Sequence, residues 1–85
     1  MNHSFTECLF DGGVQRHYKF DNGYVASAVR SAHSYGGPKG LWEIAVLLND
    51  SICYTTPITS DVVGHLTPAR RDEVLDQIAA LEPAV

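Results

Sequence analysis

The sequence predicts an α+β fold: an antiparallel β-meander of four to five strands with one C-terminal α-helix packed on one face. Three observations predict this class. Tight-turn motifs, "FDGGV" at 10–14 and "FDNGY" at 20–24, separate segments of strand length in the first half. Apolar and polar residues alternate along those segments. The C-terminal part instead has apolar residues at helical spacing behind a helix-start signal.

The composition is that of one small globular domain, residues 1–85, with 45% hydrophobic and 19% charged residues. The longest apolar run, Ile44 to Leu48, is far shorter than a membrane span. The N-terminus lacks the basic segment and long apolar stretch of a signal peptide. We therefore expect a cytoplasmic protein that does not engage a membrane.

Strands are predicted over about residues 4–56. Because the turns between them are short, consecutive strands must pair antiparallel. The fourth segment is apolar on both faces, which indicates the centre of the sheet or a face that meets something else. We expect the centre, with Glu43 near an end that water can reach. The segments are Ser4–Phe10, Val14–Phe20, Tyr24–Ser34, Leu41–Leu48 and Ile52–Thr56.

A connection is predicted over residues 57–67, because Pro57 cannot donate to a strand ladder. Within it, Ser60 or Asp61 is a candidate cap for a short turn through Val62 and Val63 that Gly64 ends.

A helix is predicted over about residues 68–82. Thr67 followed by Pro68 is a strong start signal, with a hydroxyl at the N-cap and proline at the first helical position. Pro83 ends the pattern. The predicted buried stripe is Val74, Leu75, Ile78 and Leu81.

The glycine-rich stretch "GGPKG" at 36–40 is not a phosphate-binding loop. It lacks the G-x-x-x-x-G-K-[ST] spacing, and it leads into a strand instead of a helix. Pro38 also removes one N–H donor that an anion-binding nest would use. We predict a hairpin loop.

Other catalytic signatures are missing from the sequence. It has no G-x-S-x-G motif, and its four histidines are scattered. Cys8 and Cys53 match no metal or redox spacing and are expected to be free buried thiols, with their proximity left open. We therefore predict no enzyme activity, no metal and no cofactor.

Two blocks of the sequence resemble small proteins of tailed bacteriophages and prophages. They are "FDNGYVASAVRSAHSYGGPKGLWEIAVLLND" and "ICYTTPITSDVVGHLTPARRDEVLDQIAALE", which together cover roughly residues 20 to 82. In that pattern an "NGY.AS.VR...SYGG..GLWE.AVL" block precedes "TPIT.DV.G.L" and a final helix. The resemblance carries over no catalytic residues. It implies a protein that acts by binding a host protein or nucleoprotein complex in the host cytoplasm, most specifically as an inhibitor of a bacterial defence complex, like anti-CRISPR proteins.

Candidate contacts with such a partner lie at and after the glycine-rich loop. They are Tyr35, Lys39 and Trp42, because exposed aromatic residues are common interface hot spots. For Trp42 the alternative is packing in the core. Three turn carboxylates, those of Asp11, Asp21 and Asp50, are further candidate contacts, and whether they mimic a nucleic acid is left open because a net charge of −4 is too small to make mimicry the leading interpretation.

Two alternatives stay open. One is a self-associating structural or accessory phage protein, a homodimer through the two-sided apolar strand. The other is a small nucleic-acid-binding regulator that uses Arg70 and Arg71, with Arg16, Lys19 and Arg30 in support. The net charge of −4 disfavours direct nucleic-acid binding. A solvated helix start is the simpler explanation of Arg70 and Arg71.

Overall fold

In the described residues, one antiparallel sheet has one α-helix across one of its faces, which confirms the predicted α+β class. The computed structural model describes residues 3–48, 51–52 and 62–82. Along the sheet the strand order is β1-β2-β3-β4-β5, and β6 also pairs with β4. The elements are β1 (Thr6–Phe10), β2 (Gly13–Lys19), β3 (Tyr24–Arg30), a 3₁₀ turn (Gly37–Lys39), β4 (Trp42–Leu48), β5 (Ser51–Ile52), β6 (Val62–Leu66) and α1 (Pro68–Ala79).

The first three strands form the predicted meander. Asp11 and Gly12 have φ values of 48° and 75°, which is the all-positive pattern of a two-residue type I′ turn. This turn joins β1 to β2 with Phe10 opposite Gly13. β3 ends at Arg30, before the predicted end, because the Ser31 N–H donates to Ser34 Oγ at 2.9 Å and turns the chain.

The two-sided apolar strand lies inside the sheet, as predicted. β4 pairs with β3 along one side and with β5 and β6 along the other. Trp42, Ile44 and Val46 alternate as buried residues beneath α1. Glu43 lies on the other face and is half-buried.

The segment predicted as a connection with a helical turn is instead the strand β6. Val62 and Val63 are β-branched, and they pair with Ala45 and Ile44. The ladder is irregular between Trp42 and Ile44. Gly64 is no helix stop: a Cβ there would lie 2.6 Å from Tyr35 Cβ, so it allows a close approach of the loop. The predicted caps Ser60 and Asp61, and residues 53–57, lie outside the described residues.

Helix α1 begins as predicted and is tied down at both ends. Thr67 Oγ1 accepts a hydrogen bond from the Arg70 N–H at 3.2 Å. At the C-terminal end Asn22, from the β2–β3 turn, donates through Nδ2 to the carbonyls of Ile78 at 2.8 Å and Leu81 at 3.2 Å. In the described part of the chain, no helix has the length and apolarity needed to cross a bilayer.

The core lies between α1 and the face of the sheet that α1 covers, which we call the helix-side face. From the helix, Val74, Leu75 and Ile78 are buried, as the helical spacing predicted. The sheet contributes Tyr18, Ala26, Ala28, Trp42, Ile44, Val46 and Leu66. The small side chains of Ala26 and Ala28 in β3 let the helix approach the sheet closely, so α1 covers the helix-side face at β3, β4 and β6.

Candidate functional site

One end of the sheet gathers several connecting segments, and we call it the loop end. It comprises the Asp11–Gly12 turn, the β3–β4 loop at 31–41, and the first turn of α1, which follows β6. Backbone hydrogen bonds join these parts: the Ala32 N–H donates to the Asp11 carbonyl at 3.1 Å, and the His65 N–H donates to the Tyr35 carbonyl at 3.1 Å. The loop is therefore bonded to the β1–β2 turn on one side and to β6 on the other.

Trp42, the single tryptophan of the chain, lies beneath three guanidinium groups at this end. Its side chain is buried, with 1% exposed. The guanidinium carbons of Arg16, Arg30 and Arg71 lie 4.9, 5.0 and 5.0 Å from its ring centroid. Each distance is within the range of a cation–π contact. We call these three residues the arginine cluster.

Two members of the arginine cluster are held by carboxylates. Arg16 Nε donates to Glu7 Oε1 at 2.8 Å, and its Nη1 donates to Tyr18 Oη at 3.2 Å. Burial alone would lower the pKa of Arg16, but the hydrogen bonds and electrostatic interactions with Glu7 and Tyr18 together raise that pKa. Arg71 donates to Asp72 Oδ1 at 3.0 Å. Both residues are structural cations whose charge is locally offset.

Arg30 is different because it is exposed and its charge is not offset. Among the described residues it forms no ion pair, and the same is true of Lys39 in the 3₁₀ turn. Both cations lie at the loop end. Lys19, which is also without an ion pair in the described chain, lies at the opposite end of β2.

A cleft of about 300 Å³ lies beside the arginine cluster, between β2 and the start of α1. Arg16 forms its floor, stacked with its guanidinium carbon 4.2 Å from the Phe5 ring centroid. The lining residues are His3, Phe5, Arg16, Tyr18, Arg71, Asp72 and Leu75. Aromatic rings line the cleft together with two guanidinium groups, which already donate to Glu7, Tyr18 and Asp72.

Of the three predicted loop contacts, two are exposed and one is buried. Tyr35 is exposed by 61%, and Lys39 is exposed in the turn that follows, so both are accessible. Trp42 is not a surface contact. It points into the core at the first position of β4, which corrects its assignment as a contact and favours the core alternative.

The predicted acidic turns do not form one surface. Asp11 lies at the loop end, where its Oδ2 is 2.7 Å from His33 Nδ1 and accepts a bond from Ser31 Oγ at 3.4 Å. Asp21 lies in the β2–β3 turn, at the other end of the sheet. Asp50 lies outside the described residues. The carboxylate of Asp11 is occupied by local partners, as is typical of turn acids.

The two helix-start arginines have different surroundings. Arg70 is exposed and pairs with Glu73 one turn later, as expected for a solvated helix start. Arg71 is half-buried and belongs to the arginine cluster. Sequence reasoning placed them together because they are adjacent, but the helix directs consecutive side chains about 100° apart.

The edge strand β1 is a feature that sequence reasoning did not single out. Its five residues are all exposed, and Leu9 is exposed by 90%. Cys8 is a free and exposed thiol, which corrects its expected burial. Helix α1 packs on β3, β4 and β6, and Cys8 lies on the face of the sheet opposite α1, so the helix does not cover this thiol. The sequence predicted a strand here, but nothing local in the sequence distinguishes an edge strand from an inner one. Cys53 lies outside the described residues.

Across the described residues, no group of three or more His, Cys, Asp or Glu side chains is placed to hold a metal ion. Comparisons of the chain with protein-family models, with curated proteins and with solved structures found no match.

Proposed function

We propose that this protein is a non-enzymatic binding protein of phage type that docks its loop end against an acidic surface of a host protein assembly. In its most specific form, the protein is an inhibitor of a bacterial defence complex in the host cytoplasm. The phage origin rests on the resemblance carried by residues 20 to 82. The docking surface rests on the geometry of the loop end.

The observation that carries the proposal is the combination of Tyr35 with two cations whose charge is not offset. Tyr35 presents an exposed aromatic ring, and its backbone is held to β6 because its carbonyl accepts from the His65 N–H. Lys39 follows it in the same loop, and Arg30 precedes it at the end of β3. An exposed aromatic residue with exposed cations on both sides of it in the chain suits recognition of a carboxylate-rich protein surface.

The acidic balance of the rest of the chain supports a protein partner over a nucleic acid. The net charge is −4, and three of the six basic residues are already paired with carboxylates of the chain itself. Binding to a phosphate backbone draws its affinity from many cations that are free to displace counterions. A small number of free cations at one end is better matched to a small acidic surface.

The experiment is a tagged capture from a bacterial lysate, with and without nuclease, followed by binding measurements with the purified partner. We expect a stoichiometric defence complex that survives nuclease treatment. The double variant Tyr35→Ala with Lys39→Ala should weaken binding at least about tenfold, the loss typical of one interface hot spot. Lys19→Ala is the matched control, since it removes an exposed lysine from the opposite end, and it should bind as the unmodified protein does.

Two results would contradict the proposal. Equal binding by the double variant and the unmodified protein would exclude the loop end as the docking surface. A partner that is lost on nuclease treatment, with affinity that falls steeply with salt, would instead support the nucleic-acid alternative.

A further inference from the structure

The exposed edge of β1 carries an unusual concentration of apolar surface. Four large hydrophobic side chains are exposed in the described chain, and three of them lie on β1 or beside it. Leu9 is 90% exposed, and Phe5 and Phe10 are each 45% exposed. In the described structure no strand pairs with the outer side of β1. The inference drawn from this edge does not rest on the docking role proposed for Tyr35, Lys39 and the loop end.

β1 also lacks the devices that usually protect an edge strand. It contains no proline and no lysine, and its register with β2 runs without a bulge. Its one charge, on Glu7, is bound by Arg16 Nε at 2.8 Å. By contrast β6 has an irregular register, a positive φ of 57° at His65 and a backbone bond to the loop. The other terminal strand, β5, has only two residues, so β1 is the longer terminal strand of the described sheet and the one better suited to pairing.

The turn determines which backbone groups of β1 are free. Phe10 and Gly13 flank a two-residue type I′ turn, so they form a hydrogen-bonded pair. Hydrogen-bonded and non-hydrogen-bonded pairs alternate along an antiparallel ladder. The N–H and C=O groups of Phe10, Cys8 and Thr6 therefore point at β2, while those of Leu9 and Glu7 point outward.

When two copies pair through this edge, each outward residue, Glu7 or Leu9, must lie opposite an outward residue of the second copy. Three registers satisfy this condition. Glu7 against Glu7 of a second copy would place two carboxylates directly opposite. Leu9 against Leu9 would overlap only residues 8–10. Glu7 against Leu9 centres the pairing on Cys8, overlaps the whole strand from residue 6 to 10, and sets no like charges opposite each other. The strand is thus self-complementary in one register.

We propose that two copies of this chain pair through β1 in that antiparallel register, as a two-fold symmetric dimer with Cys8 opposite Cys8. The two sheets then become one continuous sheet. The Leu9 side chains meet diagonally across the seam on the helix-side face, and Phe5 of each copy lies near Leu9 of the other. On the opposite face, Phe10 lies against Thr6 of the second copy. All three exposed apolar side chains of this edge become covered.

The two Glu7 carboxylates approach each other only diagonally, about 7–8 Å apart at the backbone, and each is already bound by Arg16. A seam one strand long is small beside a standard interface of about 1,600 Å², so the dimer is expected to be weak. We expect a dissociation constant between about 10 μM and 1 mM at physiological salt.

The test of register uses two substitutions at one exposed position. Leu9→Glu places a carboxylate opposite Glu7 of the second copy, twice per dimer, whereas Leu9→Lys places an ammonium group there. Because Leu9 is 90% exposed in the single chain, neither change disturbs the fold. Sedimentation equilibrium from about 10 μM to 1 mM should show at least about tenfold weaker dimerisation for Leu9→Glu than for Leu9→Lys. A strict monomer across this range, or equal effects of the two substitutions, overturns the proposal.

A second measurement uses the thiol as a reporter of the same register. Cα atoms of a non-hydrogen-bonded antiparallel pair are about 4.5 Å apart, which a disulfide can bridge. In the Cys53→Ser background, diamide should oxidise the two Cys8 thiols to one intermolecular disulfide, taking up their two protons and two electrons. Cross-linking should rise with protein concentration and vanish in Cys8→Ser and under conditions where Leu9→Glu is monomeric. Cross-linking that is as efficient in the Leu9→Glu variant would exclude this register.

Discussion

At the scale of single residues, the burial of Trp42 depends on arginine side chains as much as on apolar ones. Arg16 lies between two aromatic rings, with its guanidinium carbon 4.2 Å from the Phe5 centroid and 4.9 Å from the Trp42 centroid. Its aliphatic stem and its planar head group both cover indole surface. Among the described residues Trp42 Nε1 has no hydrogen-bond partner, so the ring is held by packing and by its cationic neighbours.

We predict that Arg16→Ala is more destabilising than Arg30→Ala. The Arg16→Ala substitution removes two hydrogen bonds and two ring contacts, so the free energy of unfolding should fall by about 1–3 kcal/mol. Arg30 is also in a strand and also contacts Trp42, but it is exposed, so its loss should cost about 0.5–1 kcal/mol. Urea unfolding followed by the fluorescence of Trp42 measures both. Equal or reversed losses would show that Arg16 contributes no more than a surface arginine.

At the scale of secondary-structure elements, the β2–β3 turn has a second role. The Asn22 side chain accepts from the Tyr24 N–H through Oδ1 at 3.1 Å, as a turn residue does. Its Nδ2 donates to carbonyls at the C-terminal end of α1. The Ile78 carbonyl also accepts from the Leu81 N–H at 3.1 Å, so Asn22 adds a second donor at this end of the helix. One side chain thus shapes the hairpin and caps the helix, and it joins elements more than fifty residues apart in sequence.

We predict that Asn22→Asp lowers the free energy of unfolding by about 1–3 kcal/mol. The change keeps the shape of the side chain, but it replaces the donor with a carboxylate that faces carbonyl oxygens and the negative end of the helix dipole. The matched control is Asp21→Asn, a change of similar size at the exposed neighbouring position, which should alter stability by less than about 0.5 kcal/mol. Chemical unfolding of both variants decides the matter. An Asn22→Asp protein as stable as the control would contradict the capping role.

At the scale of the whole molecule, His3 near the N-terminus contacts the C-terminal half of α1. His3 Nε2 lies 2.7 Å from Asp76 Oδ1, and the His3 ring packs edge-on against Phe20 at 5.3 Å. The hydrogen bond from His3 lowers the pKa of Asp76 below its ordinary value of 3.8. Because the unfolded chain then binds the proton more readily than the folded one, stability rises with pH in this range.

We predict that the contribution of Asp76 is complete above its unfolded pKa of 3.8 and is lost as pH falls through the lower folded value. Asp76→Asn should therefore be less stable than the unmodified protein at pH 7, and this difference should shrink below pH 3.8. Urea unfolding at a series of pH values, with Asp21→Asn as the control, measures the difference. A constant difference at all pH values would mean that the carboxylate charge is not what stabilises the contact.

Local sequence patterns predicted several parts of this fold directly. Asp11-Gly12 predicts a turn because its residues tolerate positive φ, and Thr67-Pro68 predicts a helix start because its hydroxyl and ring suit the first turn. The helical spacing of Val74, Leu75 and Ile78 predicted the buried side of α1. All of these depend on neighbours within a few residues, and such interactions are present in the sequence itself.

The assignment that failed at residues 62–66 depended on a partner far away in the chain. Gly64 is compatible with a helix stop and with a strand. β6 forms because its backbone pairs with β4, and glycine is required at position 64 because the Tyr35 Cβ occupies the space that a Cβ of residue 64 would take. The candidate site was predicted only in part for a similar reason. Tyr35 and Lys39 follow from a loop motif, whereas the arginine cluster draws on three separate elements.

By itself, the sequence determined the class of the fold, the first two hairpin turns, the start of the helix, and the buried side of α1 and β4. Only the tertiary structure decided that Trp42 is buried beneath arginines, that Asn22 caps a distant helix, and that β1 is an open edge. The physical reason is the distance along the chain over which each kind of interaction acts. Turn chemistry and periodicity act over a few residues, whereas burial and strand neighbours depend on how much of the sheet one twelve-residue helix can cover.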